Sequence, residues 1–175
     1  MKLLDLMVNS PGVNPPSLIG RSRVRVKEKI MHKSIEVLVK HFRDIVEKIP
    51  RSEFRGHSSL SAADFPDGCC DDSSHLLAEY LFEELGVIVD LIHGSNGGEK
   101  NEILSHDWLY YDSIIIDITS DQFNWKGYKN PAIYFGKEDE FHSSFTQTRR
   151  QDARWSSLDD QGGLGFAYSI VKKNL

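Results

Sequence analysis

Partway along this 175-residue chain the apolar period changes, and that change limits the folds open to it. From Ser34 onward Ile35, Leu38, Val39, Phe42, Ile45, Val46 and Ile49 follow the i, i+3, i+4, i+7 spacing of one helix face, and Pro50 ends the run. A second helix is expected from near Cys70, with Leu77, Leu81 and Leu85 repeating every four residues and Gly86 as its stop. Beyond it come short runs dense in β-branched and aromatic residues, separated by turn residues, at 87–92, 106–111, 114–119 and 132–135. Residues 166–171 are expected to add a last strand. Helix, helix, then antiparallel strands is an α+β layout, with the helices packed on the sheet.

The length suits one hydrophobic core, so residues 25–175 are expected to form a single domain. Residues 1–24, with Pro11, Pro15 and Pro16 and no apolar period, read as an extended arm. Residues 51–67 read as a loop, and 94–101, with Gly94, Gly97 and Gly98, as a mobile one near a site. With 21 Lys+Arg against 26 Asp+Glu, the net charge of −5 provides no field to hold a phosphate backbone, so nucleic acid is not an expected partner. No run is long and apolar enough for a membrane span. The two cysteines, Cys69 and Cys70, are adjacent and poorly placed for an unstrained disulfide, which points to reduced thiols in a cytoplasmic setting.

Nucleophilic cysteine chemistry needs a thiol at a favourable electrostatic position, a base, and a group that orients the base. Cys70 sits where the second helix begins, and its own amide is placed to meet a developing oxyanion. Asp71 and Asp72 follow it and oppose a low thiol pKa. The expectation is nevertheless a Cys70 thiol below that of a free one, by pairing with a protonated histidine. If Asp112 and Ser113 form a two-residue turn, Tyr111 pairs with Ile114, Tyr110 with Ile115, Trp108 with Asp117, and His106 with Thr119. His106, Trp108 and Asp117 then share one sheet face, close enough for His106 and Asp117 to hydrogen-bond. A carboxylate among Ile114, Ile115, Ile116 and Ile118 is costly without a donor. The Cys and His spacings build no tetrahedral metal site, and no phosphate or dinucleotide fingerprint is present, so no metal and no cofactor are expected.

The stretch Phe65-Pro66-Asp67-Gly68-Cys69-Cys70-Asp71-Asp72-Ser73-Ser74, with His106-Asp107-Trp108 and with Ile116-Asp117-Ile118-Thr119-Ser120-Asp121-Gln122-Phe123, resembles bacterial transglutaminase-like proteins of the papain-like cysteine superfamily. The resemblance implies a papain/transglutaminase-like core, Cys70 as nucleophile two positions after Gly68, His106 as base and Asp117 as its orienting carboxylate. It places Gly68, Trp108 and Gln122 at the substrate. Asp71 stands where animal transglutaminases carry an aromatic residue, and Asp64 where papain-type peptidases carry an oxyanion-hole glutamine; Gln122 is a candidate substitute. The implied activity is acyl transfer through a thioester on a peptide or protein substrate: a peptidase, amidase or deamidase with water as acceptor, a transglutaminase or acyltransferase with an amine. The other class is a binding module on the same fold, gripping a protein through residues 149–155.

Overall fold

The computed structural model describes residues 18–54, 58–154 and 164–175. The chain divides into two units, Met1–Lys33 and Ser34–Leu175. In the first, the described residues belong to helix α1, Leu18–Val46, so residues 18–24 of the expected arm are helical. Pro11, Pro15 and Pro16 lie outside the described residues, as does Trp155 at the end of the 149–155 segment.

In the second unit α1 buries Ile35, Val39, Phe42 and Val46, each 1 % exposed or less, on the stripe its sequence period marks. Each such side chain contributes roughly 1.5–3 kcal/mol by leaving water. Short turns follow at η1, Arg51–Phe54, and α2, Ser59–Ala62. Helix α3, Cys70–Leu85, comes next and ends on Gly86, whose φ of +66° lets its N–H reach Phe82 O at 2.8 Å. Leu76, Leu77, Ala78 and Leu81 are its fully buried apolar residues.

The sheet has five strands: β1 (Asp90–Gly97), β2 (Ile103–Tyr111), β3 (Ile114–Asp117), β4 (Tyr134–Gly136) and β5 (Gln147–Asp152). Their order is β4-β3-β2-β1-β5 with every neighbour antiparallel. The fold is α+β, as expected. Asp112 and Ser113, at φ +47° and +65°, form the two-residue turn, and Tyr111–Ile114, Tyr110–Ile115 and Leu109–Ile116 are paired. The ladder ends there. The further pairs expected at Trp108 and His106 do not form, because β3 stops at Asp117 and the chain enters the 3-10 helix η2, Ser120–Lys126.

Two expectations are corrected, and one further strand carries no sequence signal. Residues 94–97 are not a loop but the end of β1, which starts only at Asp90. Gly94 is there for space: a Cβ would lie 2.7 Å from the Trp108 ring and 2.8 Å from Phe145. The last strand at 166–171 is instead helix α5, Leu164–Asn174, with Leu164, Ala167, Tyr168 and Val171 buried on one face. Finally, β5 pairs with β1 at the sheet edge although its six residues are all exposed and polar, leaving no alternation to read. Between β4 and β5, the short helix α4, Glu140–Ser143, is capped by the Asp139 side chain, which accepts from the His142 N–H at 2.9 Å. Phe141 of α4 joins Ile103, Trp108, Ile115, Phe123 and Phe145 in a ring-rich cluster.

Candidate active site

The start of α3 turns its two thiols different ways, because successive helical side chains are about 100° apart. Cys69, at the N-cap, is fully buried with its thiol on Asp67 O at 3.2 Å. Cys70 is half-buried. Its S–H donates to Asp107 Oδ2 at 3.6 Å, and the Asp107 backbone N–H also faces its sulfur. The thiol therefore rests against the residue next to His106 in β2.

His106 and Asp117 meet as expected. His106 Nε2 donates to Asp117 Oδ2 at 2.7 Å, with both residues 1 % exposed or less. The remaining oxygen, Oδ1, accepts the Thr119 N–H at 2.8 Å and the Thr119 hydroxyl at 3.2 Å. A second imidazole also reaches Oδ2: His142 Nε2, at 3.1 Å. Burial pushes the Asp117 carboxyl up, but His106 and His142 outweigh it and hold the carboxyl well below the usual carboxylate range. The imidazole of His106 is walled by aromatic rings, 5.1 Å from Phe123, 5.8 Å from Phe141 and 6.1 Å from Phe145 between centroids. Its other nitrogen, Nδ1, is buried without a hydrogen-bond partner. A buried polar atom left open in this way is uncommon.

Among the described residues no hydrogen bond joins Cys70 to His106, so two members of the expected triad are linked and the third lies beside them. The expected low pKa of Cys70 is also corrected. Burial, and then the charge of Asp107, push the thiol from its ordinary 9.0 to about 12. Asp71 and Asp72 are not the anions responsible. Asp72 is turned away to accept from the Ser59 N–H and hydroxyl at 2.6 and 2.7 Å. Asp107 itself is tied by its other oxygen to His93 Nδ1 at 2.8 Å, directly across the β1–β2 ladder. Spacing arguments did not single out His93 or Asp107; only the register places them beneath the thiol.

Gly68, Gln122 and Trp108 are placed differently from one another. The Gly68 N–H donates to Gln122 Oε1 at 3.1 Å, and Gln122 Nε2 donates to Thr119 O at 2.9 Å. Gln122 thus clamps the loop before α3 to the chain that follows β3. Gly68 has φ +65° and open space where a Cβ would stand. Trp108 is buried in the ring cluster, 5.7 Å from the His106 ring. A further anchor was invisible in sequence. Buried Arg43 of α1 makes a two-pronged ion pair with Asp121 at 2.9 and 3.0 Å and donates to the carbonyls of Ile118 and Ala132. It fixes the chain that leaves Asp117.

A cleft of about 480 Å³ runs beside Asp107, lined by Asp71, Leu91, His93, Arg149 and Gln151 among others. His106, Asp117 and His142 are the one cluster among the described residues with three metal-type side chains, their polar atoms all within 4.8 Å. Separations of 2.7 and 3.1 Å from Asp117 Oδ2 to the two imidazole nitrogens are those of hydrogen bonds. Sequence spacing could not find it, because His142 comes from α4, far along the chain. No helix among the described residues is long and apolar enough to cross a membrane. Comparison with family models, with curated proteins and with solved structures finds no match for this chain.

Proposed function

We propose that this chain is a cysteine-dependent acyl-transfer enzyme, acting as a hydrolase on peptide or protein amides through Cys70, His106 and Asp117. One observation carries the reading: the buried His106 has Nε2 fixed on Asp117 and Nδ1 open, while the Cys70 thiol lies against the next residue's backbone. With Nε2–H donating to an anion, Nδ1 holds the lone pair a general base needs. The papain/transglutaminase-like resemblance supports the same assignment. A protonated resting thiol is compatible with it, because the proton leaves as sulfur attacks, as a serine hydroxyl's does.

In this mechanism Cys70 S–H gives its proton to His106 Nδ1 as the sulfur bonds to the carbonyl carbon. The oxyanion forms near the Cys70 N–H, which the first turn of α3 leaves without a helical acceptor. Collapse breaks the C–N bond, and the amine takes the proton from Nδ1. Water, deprotonated at the same nitrogen, then cleaves the thioester to release the acid and restore the thiol. An amine in place of water gives the transferase outcome. Two free thiols suit a reducing cytoplasmic setting, and the negative net charge argues against a nucleic-acid substrate.

Peptide-based electrophiles, followed by mass mapping of the labelled site, test the assignment. Label on Cys70 of the wild type that is lost in His106→Gln is expected. Label on Cys69 first, or Cys70 label untouched by His106→Gln, would overturn it in favour of a binding module.

A further inference from the structure

We propose that His142 is a positioning residue of this site: a second imidazole, held as a cation between Asp117 and Asp139, that fixes the Asp117 carboxylate and opposes addition of a proton to His106. The inference rests on the catalytic reading above. Both ring nitrogens of His142 face carboxylate oxygens, Nε2 at 3.1 Å from Asp117 Oδ2 and Nδ1 at 2.6 Å from Asp139 Oδ1. Two acceptors demand two N–H donors, which an imidazole has only when protonated. The side chain is 1 % exposed, so an unpaired cation there would be costly. Burial lowers its pKa, yet the hydrogen bond and charge of Asp117, then those of Asp139, raise it above the ordinary 6.5.

The consequences follow from placement. With four donors on its two oxygens, Asp117 has no freedom to rotate, so the His106 ring is held in one orientation. The ring centroids of His106 and His142 are 6.4 Å apart, near enough for a fixed positive charge on one to disfavour a second on the other. The charged and titratable groups facing the pair are few. His106 meets Asp117 of β3, His142 of α4, and, beside its own strand position, Asp107 and Cys70. His142 meets Asp117, Asp139 and the Tyr134 ring, with Lys137, Glu138 and Arg150 around the cleft of about 540 Å³ on its open side.

The test compares the pH dependence of kcat/KM and of Cys70 labelling in the wild type, His142→Gln and Asp139→Asn, with imidazole nitrogens followed by NMR. Asn at position 139 can still cap α4 but no longer stabilises a cation, so it tests the charge if His142→Gln fails to fold. Loss of the cation should move the acid limb to higher pH, by at most about 2 units at an effective dielectric of 20. His142→Lys, which restores a charge without the ring geometry, should return part of the limb's position. A doubly protonated His142 ring at neutral pH and a limb that moves in Asp139→Asn support the proposal. A neutral His142 ring, or an unmoved limb, would overturn it. Activity that survives Cys70→Ala would instead sink the catalytic reading, leaving the protonation of His142 as a separate NMR observation.

Discussion

Replacing Asp107 by asparagine removes the anion that sits on the Cys70 thiol while keeping the side chain's size. At 3.6 Å between Sγ and Oδ2 the repulsion of a thiolate is about 4.6 kcal/mol at an effective dielectric of 20, an upper bound for a partly exposed sulfur. Solvent screening of half of it leaves roughly 2 kcal/mol, or ~1.5 pH units. The sign is unambiguous. An anion lost beside the sulfur stabilises the thiolate, and losing the S–H donation to Oδ2 destabilises the neutral form. The Cys70 pKa should therefore fall from about 12 by ~1–2 units and still stay above the ordinary 9.0, because burial is the larger cause. The rate of iodoacetamide alkylation against pH, with the modified residue mapped by mass, reads this directly. An Asp107→Asn profile that superimposes on the wild type would refute the assignment of Asp107 as the anion that suppresses the thiolate.

Other consequences are testable in the same preparations. Asp117→Asn should lower turnover on the order of 10³–10⁴-fold, since an amide can hold the wrong imidazole tautomer, and unlike a surface change it should also cost about 3 kcal/mol in urea denaturation by leaving His142 uncompensated. Asp117, held low, contributes stability present above its ordinary 3.8 and lost as pH falls through its folded value; His142, held high, contributes stability present below 6.5 and lost as pH rises through its folded value. Urea midpoints should thus peak between about pH 4 and 6.5 from this cluster, and Asp139→Asn should flatten the alkaline side. Arg43→Met should destabilise by roughly 3–5 kcal/mol by stranding Asp121 and two carbonyls, and Arg43→Lys should recover under half of that, because an ammonium cannot make the two-pronged pair. Gly94→Ala should cost about 1–3 kcal/mol in chemical denaturation, as its Cβ would meet the Trp108 and Phe145 rings.

Local physics made several features legible in sequence. The α1 stripe through Ile35, Val39, Phe42 and Val46 shows because a helix face repeats at a fixed spacing, and the α3 stop shows because Gly86 alone tolerates its left-handed φ cheaply. The Asp112–Ser113 turn fixed the β2–β3 register, and that register brings His106 to Asp117. These are relations within about a dozen residues, where the chain's own geometry limits the outcome.

Tertiary structure alone decided the rest, since it depends on what distant segments supply. β5 has no apolar alternation, and its strand conformation comes from the free edge of β1 offering hydrogen bonds to an otherwise polar segment. The 166–171 run reads as a strand by its residue types, yet Leu164, Ala167, Tyr168 and Val171 find a core that matches the helical period instead. Gly94 looks like loop glycine until the Trp108 and Phe145 rings occupy the space of its missing side chain. The thiol's environment follows the same rule. Asp71 and Asp72 adjoin Cys70 in sequence, but Asp107, brought over by the sheet, sets its electrostatics, and His142, from a helix beyond β4, completes the shell of Asp117. Charge acts through space, so neighbours in the chain could offer candidate groups but not the field in which they sit.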